Sequence, residues 1–207
     1  MKHRLNQKTN QRLTANILKG MISSFLTSRD DKGVIGSEVM YGSSRRVADM
    51  VFISKGHSYA IEIKSEFDTT ARLNGQLKEY QSLFDYVIIF SAPNHINKIT
   101  TVIPDNIGLY SICQTGIRKL RREKINRHVQ KSEMLISIPS AAVKYDFSVK
   151  GKLTSDEIRA VAMKKSYKII HDYFITYFKE RISTTETHNI KPSKNILKSS
   201  DENYIIV

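Results

Sequence analysis

The stretch YAIEIKSEFDTTARLNGQLKEY, Tyr59 to Tyr80, begins with the alternation of a strand and ends with the spacing of a helix. Strand side chains alternate between faces, so Glu62 and Lys64 share one side while Ile61 and Ile63 take the other. A strand of this kind either turns a wet face to solvent or faces something that needs its charges. In the second half, Gln76 and Tyr80 are four residues apart and share one helical face. Asp68 or Thr69 is placed to cap this helix, which is predicted to run to about Ser82 and is weakened slightly by Gly75.

The flanking sequence extends the pattern. Val34 to Tyr41 and Val47 to Ser54 read as strands joined by the turn-rich GSSRR. Lys55 and Gly56 then turn the chain into the strand from Ser58 to Lys64, completing an antiparallel meander. FDYVIIF is a continuous apolar strand, as expected of a sheet interior covered on both faces. A loop containing Pro93, His95 and Pro104 leads to a further strand, IGLYSI. Ahead of all these, Leu13, Ile17, Leu18, Met21, Ile22 and Phe25 are spaced as the apolar face of a helix over Thr9 to Leu26. The order predicts an α/β fold with a mixed central sheet flanked by helices.

Beyond Gly116 the composition shifts. IRKLRREKINRHVQK holds seven Lys or Arg against one Glu. Thr154 and Glu157 have capping-box spacing and open a predicted long amphipathic helix carrying Ile158, Val161, Ile169, Ile170, Phe174 and Phe178. From Ser183 the chain is polar and is expected to form a loose tail. The predicted division is a core over residues 1–116, a basic helical extension over 117–182 packed on it, and a tail over 183–207.

Charge and composition narrow the function classes. The 207 residues carry a net charge of +13, which attracts polyanions, with nucleic acid ahead of anionic membrane. The single Cys113 excludes an internal disulfide framework and a Cys-rich zinc site, consistent with a reducing, cytoplasmic setting. The longest apolar run, Val87 to Phe90, is too short to span a bilayer, and no membrane role is expected.

The chemistry concentrates around Glu62. Asp49 is the acidic residue of RRVADMVFI, and a hairpin turning at Lys55 and Gly56 brings it beside Glu62. Two carboxylates about 5 Å apart repel by roughly 3 kcal/mol at an effective dielectric of 20, and a divalent cation reverses that sign. Mg2+ takes such hard oxygen ligands and completes its shell with water and phosphate. Lys64, on the same face, is placed to hold the attacking water. The plain alternative is a solvated sheet face with cross-strand ion pairs worth under ~1 kcal/mol.

An Asp followed after twelve residues by Glu-x-Lys resembles the PD-(D/E)xK nuclease superfamily, with Asp49, Glu62 and Lys64 on its signature positions. Gln76 and Tyr80 resemble the Gln-x-x-x-Tyr element of its RecB-like members. The stretch from Val34 to Ile112 is also similar to a small bacterial group of uncharacterised proteins of this type. Its pattern falls on Glu38, Arg46, Asp49, Glu62, Lys64, Ser65, Asp68, Thr69, Arg72, Leu73, Gln76, Tyr80 and Asp85, with His95 after the next strand. Ala48 stands where the superfamily has Pro, and Met50 where a small residue is usual.

The resemblance implies a restriction-endonuclease-like core and Mg2+-dependent phosphodiester hydrolysis, with Mn2+ able to substitute and DNA favoured over RNA. A defence or mobile-element setting is the expected context. Asp49, Glu62, the Ile63 carbonyl and Glu38 are the implied metal ligands. Lys64 would orient the water, while Gln76 and Tyr80 would position the substrate backbone. Arg45, Arg46, Arg72 and His95, with Arg118, Lys119, Arg121 and Arg122 of the basic run, are the candidate nucleic-acid contacts. A non-catalytic nucleic-acid-binding module and a nuclease subunit dependent on a partner remain as rivals. Homodimerisation is left open.

Overall fold

The hairpin that fixes the architecture turns at Lys55 and Gly56, whose φ angles of 51° and 76° are those of a two-residue type I′ turn. The computed structural model describes residues 13–185. Around that turn, β2 (Arg46–Ser54) and β3 (His57–Lys64) pair antiparallel, and β1 (Val34–Tyr41) pairs antiparallel with β2. Helix α2 (Leu73–Leu83) returns the chain so that β4 (Tyr86–Ser91) runs parallel to β3. β5 (Gly108–Cys113) runs parallel to β4, and β6 (Gly116–Arg121) closes the sheet antiparallel. The six strands lie in chain order, so the protein is α/β with a mixed sheet.

Both sheet faces are covered. On one, Met50, Phe52, Ile61, Ile88, Phe90 and Tyr110 pack under α1 (Ala15–Arg29), which supplies Leu18, Ile22, Phe25 and Leu26. On the other, Val51, Ile53, Ala60, Val87, Ile89 and Leu109 join α2 and a helical C-terminal layer in one cluster. That layer comprises α4 (Lys131–Ile136), α5 (Ser140–Asp146), α6 (Ser155–Ala162) and α7 (Tyr167–Thr185). Among the described residues, no helix is long and apolar enough to cross a membrane.

Several elements differ from the sequence expectation. α1 starts after Thr14, whose hydroxyl accepts from the Ile17 amide, and continues to Arg29; residues 9–12 lie outside the described residues. α2 begins at Leu73 with no side-chain cap. Asp68 is unavailable as a cap because its carboxylate accepts from the Ser65 amide and hydroxyl, at 2.7 and 2.6 Å. The loop after β4 contains a 3-10 turn, Pro93–His95, and a short helix α3 (Ile96–Val102).

Residue 116 is not a break. Gly116 opens β6, so the first basic residues of the expected helical extension belong to the sheet. The long helix is two helices, α6 and α7. Thr154 and Glu157 form the capping box that opens α6. At the break, Lys131 donates to the Met163 and Lys165 carbonyls at 2.8 and 3.0 Å, satisfying acceptors that a continuous helix would use internally. Of the expected tail, Ser183 to Thr185 close α7 and the rest lies outside the described residues.

Candidate active site

β2 and β3 diverge beyond the Met50–Ile61 pair, and that opening creates the site. Continuing their register sets Asp49 opposite Glu62. Asp49 reaches across, and its Oδ2 accepts from the Ile63 amide at 2.8 Å, replacing a ladder bond with a side-chain bond. Glu62 is 1% exposed and Lys64 8% exposed, so both charges lie out of bulk water and need partners. Lys64 Nζ stands 2.8 Å from Glu62 Oε1. The Tyr80 hydroxyl donates to Glu62 Oε2 at 2.7 Å, and Gln76 Oε1 accepts from Lys64 Nζ at 3.3 Å. One turn of α2 thus supplies a donor for the carboxylate and an acceptor for the ammonium.

The electrostatics are unequal. Burial, then the neighbouring charge of Glu62, pushes the Asp49 carboxyl up to about 6, against the pull of the Ile63 amide and Lys64. Burial and the Glu62 charge also push the Tyr80 phenol far above its ordinary range, keeping it a donor. Tyr80 is 1% exposed. Its expected contact with a nucleic-acid backbone is therefore corrected: the hydroxyl is already committed to Glu62, and it orients that carboxylate.

Glu38 lies on β1 at the register position opposite Asp49, between the Ser37–Met50 and Val39–Ala48 pairs. Its φ of 54° is unusual for a residue other than glycine within a strand. Its carboxylate is bound to Lys19 of α1 at 2.9 Å, which holds it below the usual carboxylate range. Lys19 was not legible from sequence as a site residue, since it reads as an ordinary polar position on an amphipathic helix. Its charge also acts on Asp49. Among the described residues, no three His, Cys, Asp or Glu side chains form a cage for a metal ion. What stands ready is the Asp49–Glu62 pair, with Glu38 on the adjacent strand.

The cationic candidates scatter. Arg46 pairs with Glu79 of α2 at 2.8 Å, and Arg45 sits in the β1–β2 turn with Nε 3.3 Å from Met40 Sδ. Arg72 is exposed at the start of α2. His95 has Nε2 3.0 Å from the Ser65 carbonyl, fixing the segment that follows β3. The basic run does not form a single face, because a strand divides it. Arg118 shares a row with Lys64 through Ser91 and Ser111, three strands and about 14 Å away. Lys119 alternates to the opposite face. Arg121 is held by the Ile107 carbonyl and Asp105, while Arg122 is exposed beyond the strand.

Comparison with known proteins gives three findings. The family described as Bacteriophage P4 protein cII matches residues 3–202. Protein cII of Enterobacteria phage P4 is 30% identical over 176 residues, which cover 81% of this chain and 63% of that protein, so the chain spans less than two thirds of its relative's length. A solved protein of unknown function from Silicibacter pomeroyi superposes with a TM-score of 0.43 at 16% identity, over 90% of this chain and 98% of that one.

Proposed function

The chain belongs to the bacteriophage P4 protein cII family, and we propose that it is a divalent-cation-dependent nuclease that hydrolyses phosphodiester bonds in DNA. The observation that carries this reading is the bonded cluster of Glu62, Lys64, Gln76 and Tyr80 from β3 and α2, with Asp49 of β2 bound beside it to the Ile63 amide. A merely solvated sheet face has no reason to bury Glu62 and Lys64 and to provide each with a dedicated partner on α2. The divergence of β2 from β3, and the parallel strand that follows through α2, support a restriction-endonuclease-like core.

The residues fit a hard cation. Burial, and after it the charge of Glu62, raises the Asp49 carboxyl, and positive charge between the two carboxylates would offset both. Their oxygens would hold Mg2+ or Mn2+ together with the Ile63 carbonyl, with Glu38 next on β1. When bound, the cation supplies an acidified water and charge neutralisation at the phosphate. The chain's own groups do the rest. Tyr80 and Lys64 fix the two oxygens of Glu62. Gln76 fixes the ammonium of Lys64, which faces the attacking water and the charge growing on the phosphate. Arg118, on the same face as Lys64, extends the cationic surface for the DNA backbone.

The test is cleavage of plasmid and single-stranded DNA with Mg2+, Mn2+ or EDTA. Wild type is expected to cut only with the cation, and Lys64→Ala and Asp49→Ala are expected not to cut. Cleavage by both variants at the wild-type rate would overturn the assignment. Absence of cleavage by any form, with salt-sensitive DNA binding intact, would favour a binding module.

A further inference from the structure

A cleft of about 740 Å3 opens at the carboxyl ends of the parallel strands, on the α1 side of the sheet. Carboxyl ends of parallel strands are where open α/β sheets bind ligands. β3 connects the two regions around the end of the sheet: Lys64, its last residue, bonds to Gln76 on the α2 side, and the next residue, Ser65, lines the cleft on the α1 side. Leu18 and Ile112 give it an apolar floor, and Asn94 and Thr115 bring polar groups to its wall. Phe67, on its rim, keeps 68% of its surface exposed. Asn94 Nδ2 donates to the Glu66 carbonyl at 3.0 Å, which holds that rim in place.

We propose that this cleft receives an unpaired nucleobase of the DNA strand whose phosphate lies at the Asp49–Glu62 site. This deepens, and rests on, the nuclease reading. An apolar floor with an exposed aromatic ring and an amide at the wall matches a base, which presents a π-face and a hydrogen-bonding edge. A fully paired duplex cannot place a base there without extruding it, and extrusion costs stacking and pairing. The net charge of +13 supplies the attraction for the connecting phosphates. The preferred substrate is then single-stranded DNA, or duplex DNA with an unpaired stretch, that passes around the end of the sheet from one site to the other.

The test uses the full chain in EDTA, so that no cleavage occurs. Anisotropy compares a labelled single-stranded oligodeoxynucleotide with an abasic oligomer of equal length and charge, and with a blunt duplex. The intact strand is expected to bind at least about tenfold tighter than either competitor. Phe67→Ala is expected to remove most of that preference, while Phe67→Tyr retains it; the position is exposed, so neither change opens the core. As a readout that needs no variant, alkylation of Cys113 in the cleft wall is expected to slow with the intact strand and not with the abasic one. Equal affinity for intact and abasic oligomers, binding to neither, or a preference untouched by Phe67→Ala overturns the proposal. Base-dependent binding without Mg2+-dependent cleavage refutes the nuclease and leaves the cleft as a base site. Cleavage without base-dependent binding does the reverse.

Discussion

Replacing Asp49 with Asn is expected to make the protein more stable at neutral pH while abolishing its proposed activity. In the folded chain the Asp49 carboxyl is raised from 3.8 to about 6 by burial and the Glu62 charge. That displacement corresponds to about 3 kcal/mol in favour of the neutral form. Because the folded value lies above the unfolded one, the associated stability is fully present below about pH 4 and is lost as pH rises through about 6. Asn keeps an acceptor for the Ile63 amide and never ionises. Allowing for the solvent that reaches a part-buried site, Asp49→Asn is expected to gain about 1–3 kcal/mol at pH 8 and little at pH 4. Urea denaturation in EDTA across that range measures the difference. Adding Mg2+ is expected to stabilise the wild type, by about 1.4 kcal/mol per tenfold excess over Kd, and to leave the variant unmoved. An Asp49→Asn variant that is less stable than wild type at pH 8, or a difference constant with pH, would refute the claim that burial and the Glu62 charge hold the Asp49 carboxyl above its ordinary value.

Tyr80→Phe deletes the hydroxyl that donates to the buried Glu62 Oε2, and is expected to cost about 1–3 kcal/mol in equilibrium unfolding as well as lowering the cleavage rate. His171 and Asp85 lock α7 to the start of β4, with Nε2–Oδ1 at 2.9 Å. The Asp85 hydrogen bond raises His171 above 6.5, and although burial opposes it, the bonds from His171 and Ser58 lower Asp85 below 3.8. The stability lost in His171→Gln is therefore expected to be greatest between about pH 4 and 6.5. It fades above as His171 deprotonates and below as Asp85 protonates, as denaturation midpoints across pH would show. Lys131→Met removes two donors from the carbonyls at the α6–α7 break and is expected to cost about 1–3 kcal/mol, with hydrogen exchange accelerated locally around Lys164 and Lys165.

The meander, the buried parallel strand and the charged face of β3 were legible in the sequence because each is a local signal. Period-two alternation places Glu62 and Lys64 together without reference to any other part of the chain, and Lys55-Gly56 adopts the positive φ angles that its hairpin demands. Where reading failed, two local signals competed or none existed. Asp68 has the chemistry of a helix cap but closes a turn onto Ser65. Apolar spacing runs unbroken from α6 into α7, and the clamp that divides them is Lys131, more than thirty residues away in sequence. The basic run carries no periodicity that separates strand from helix, so only pairing with β5 made its first residues β6.

Sequence by itself thus determined which residues carry charge on the core strand and how far apart they lie along the chain. Tertiary structure decided what those charges touch: Tyr80 on Glu62, Gln76 on Lys64, Asp49 across the gap onto Ile63, and Glu38 drawn to Lys19. The physical reason is that periodicity fixes the side a residue faces, whereas a buried charge is satisfied by whichever partner the packing of another element delivers.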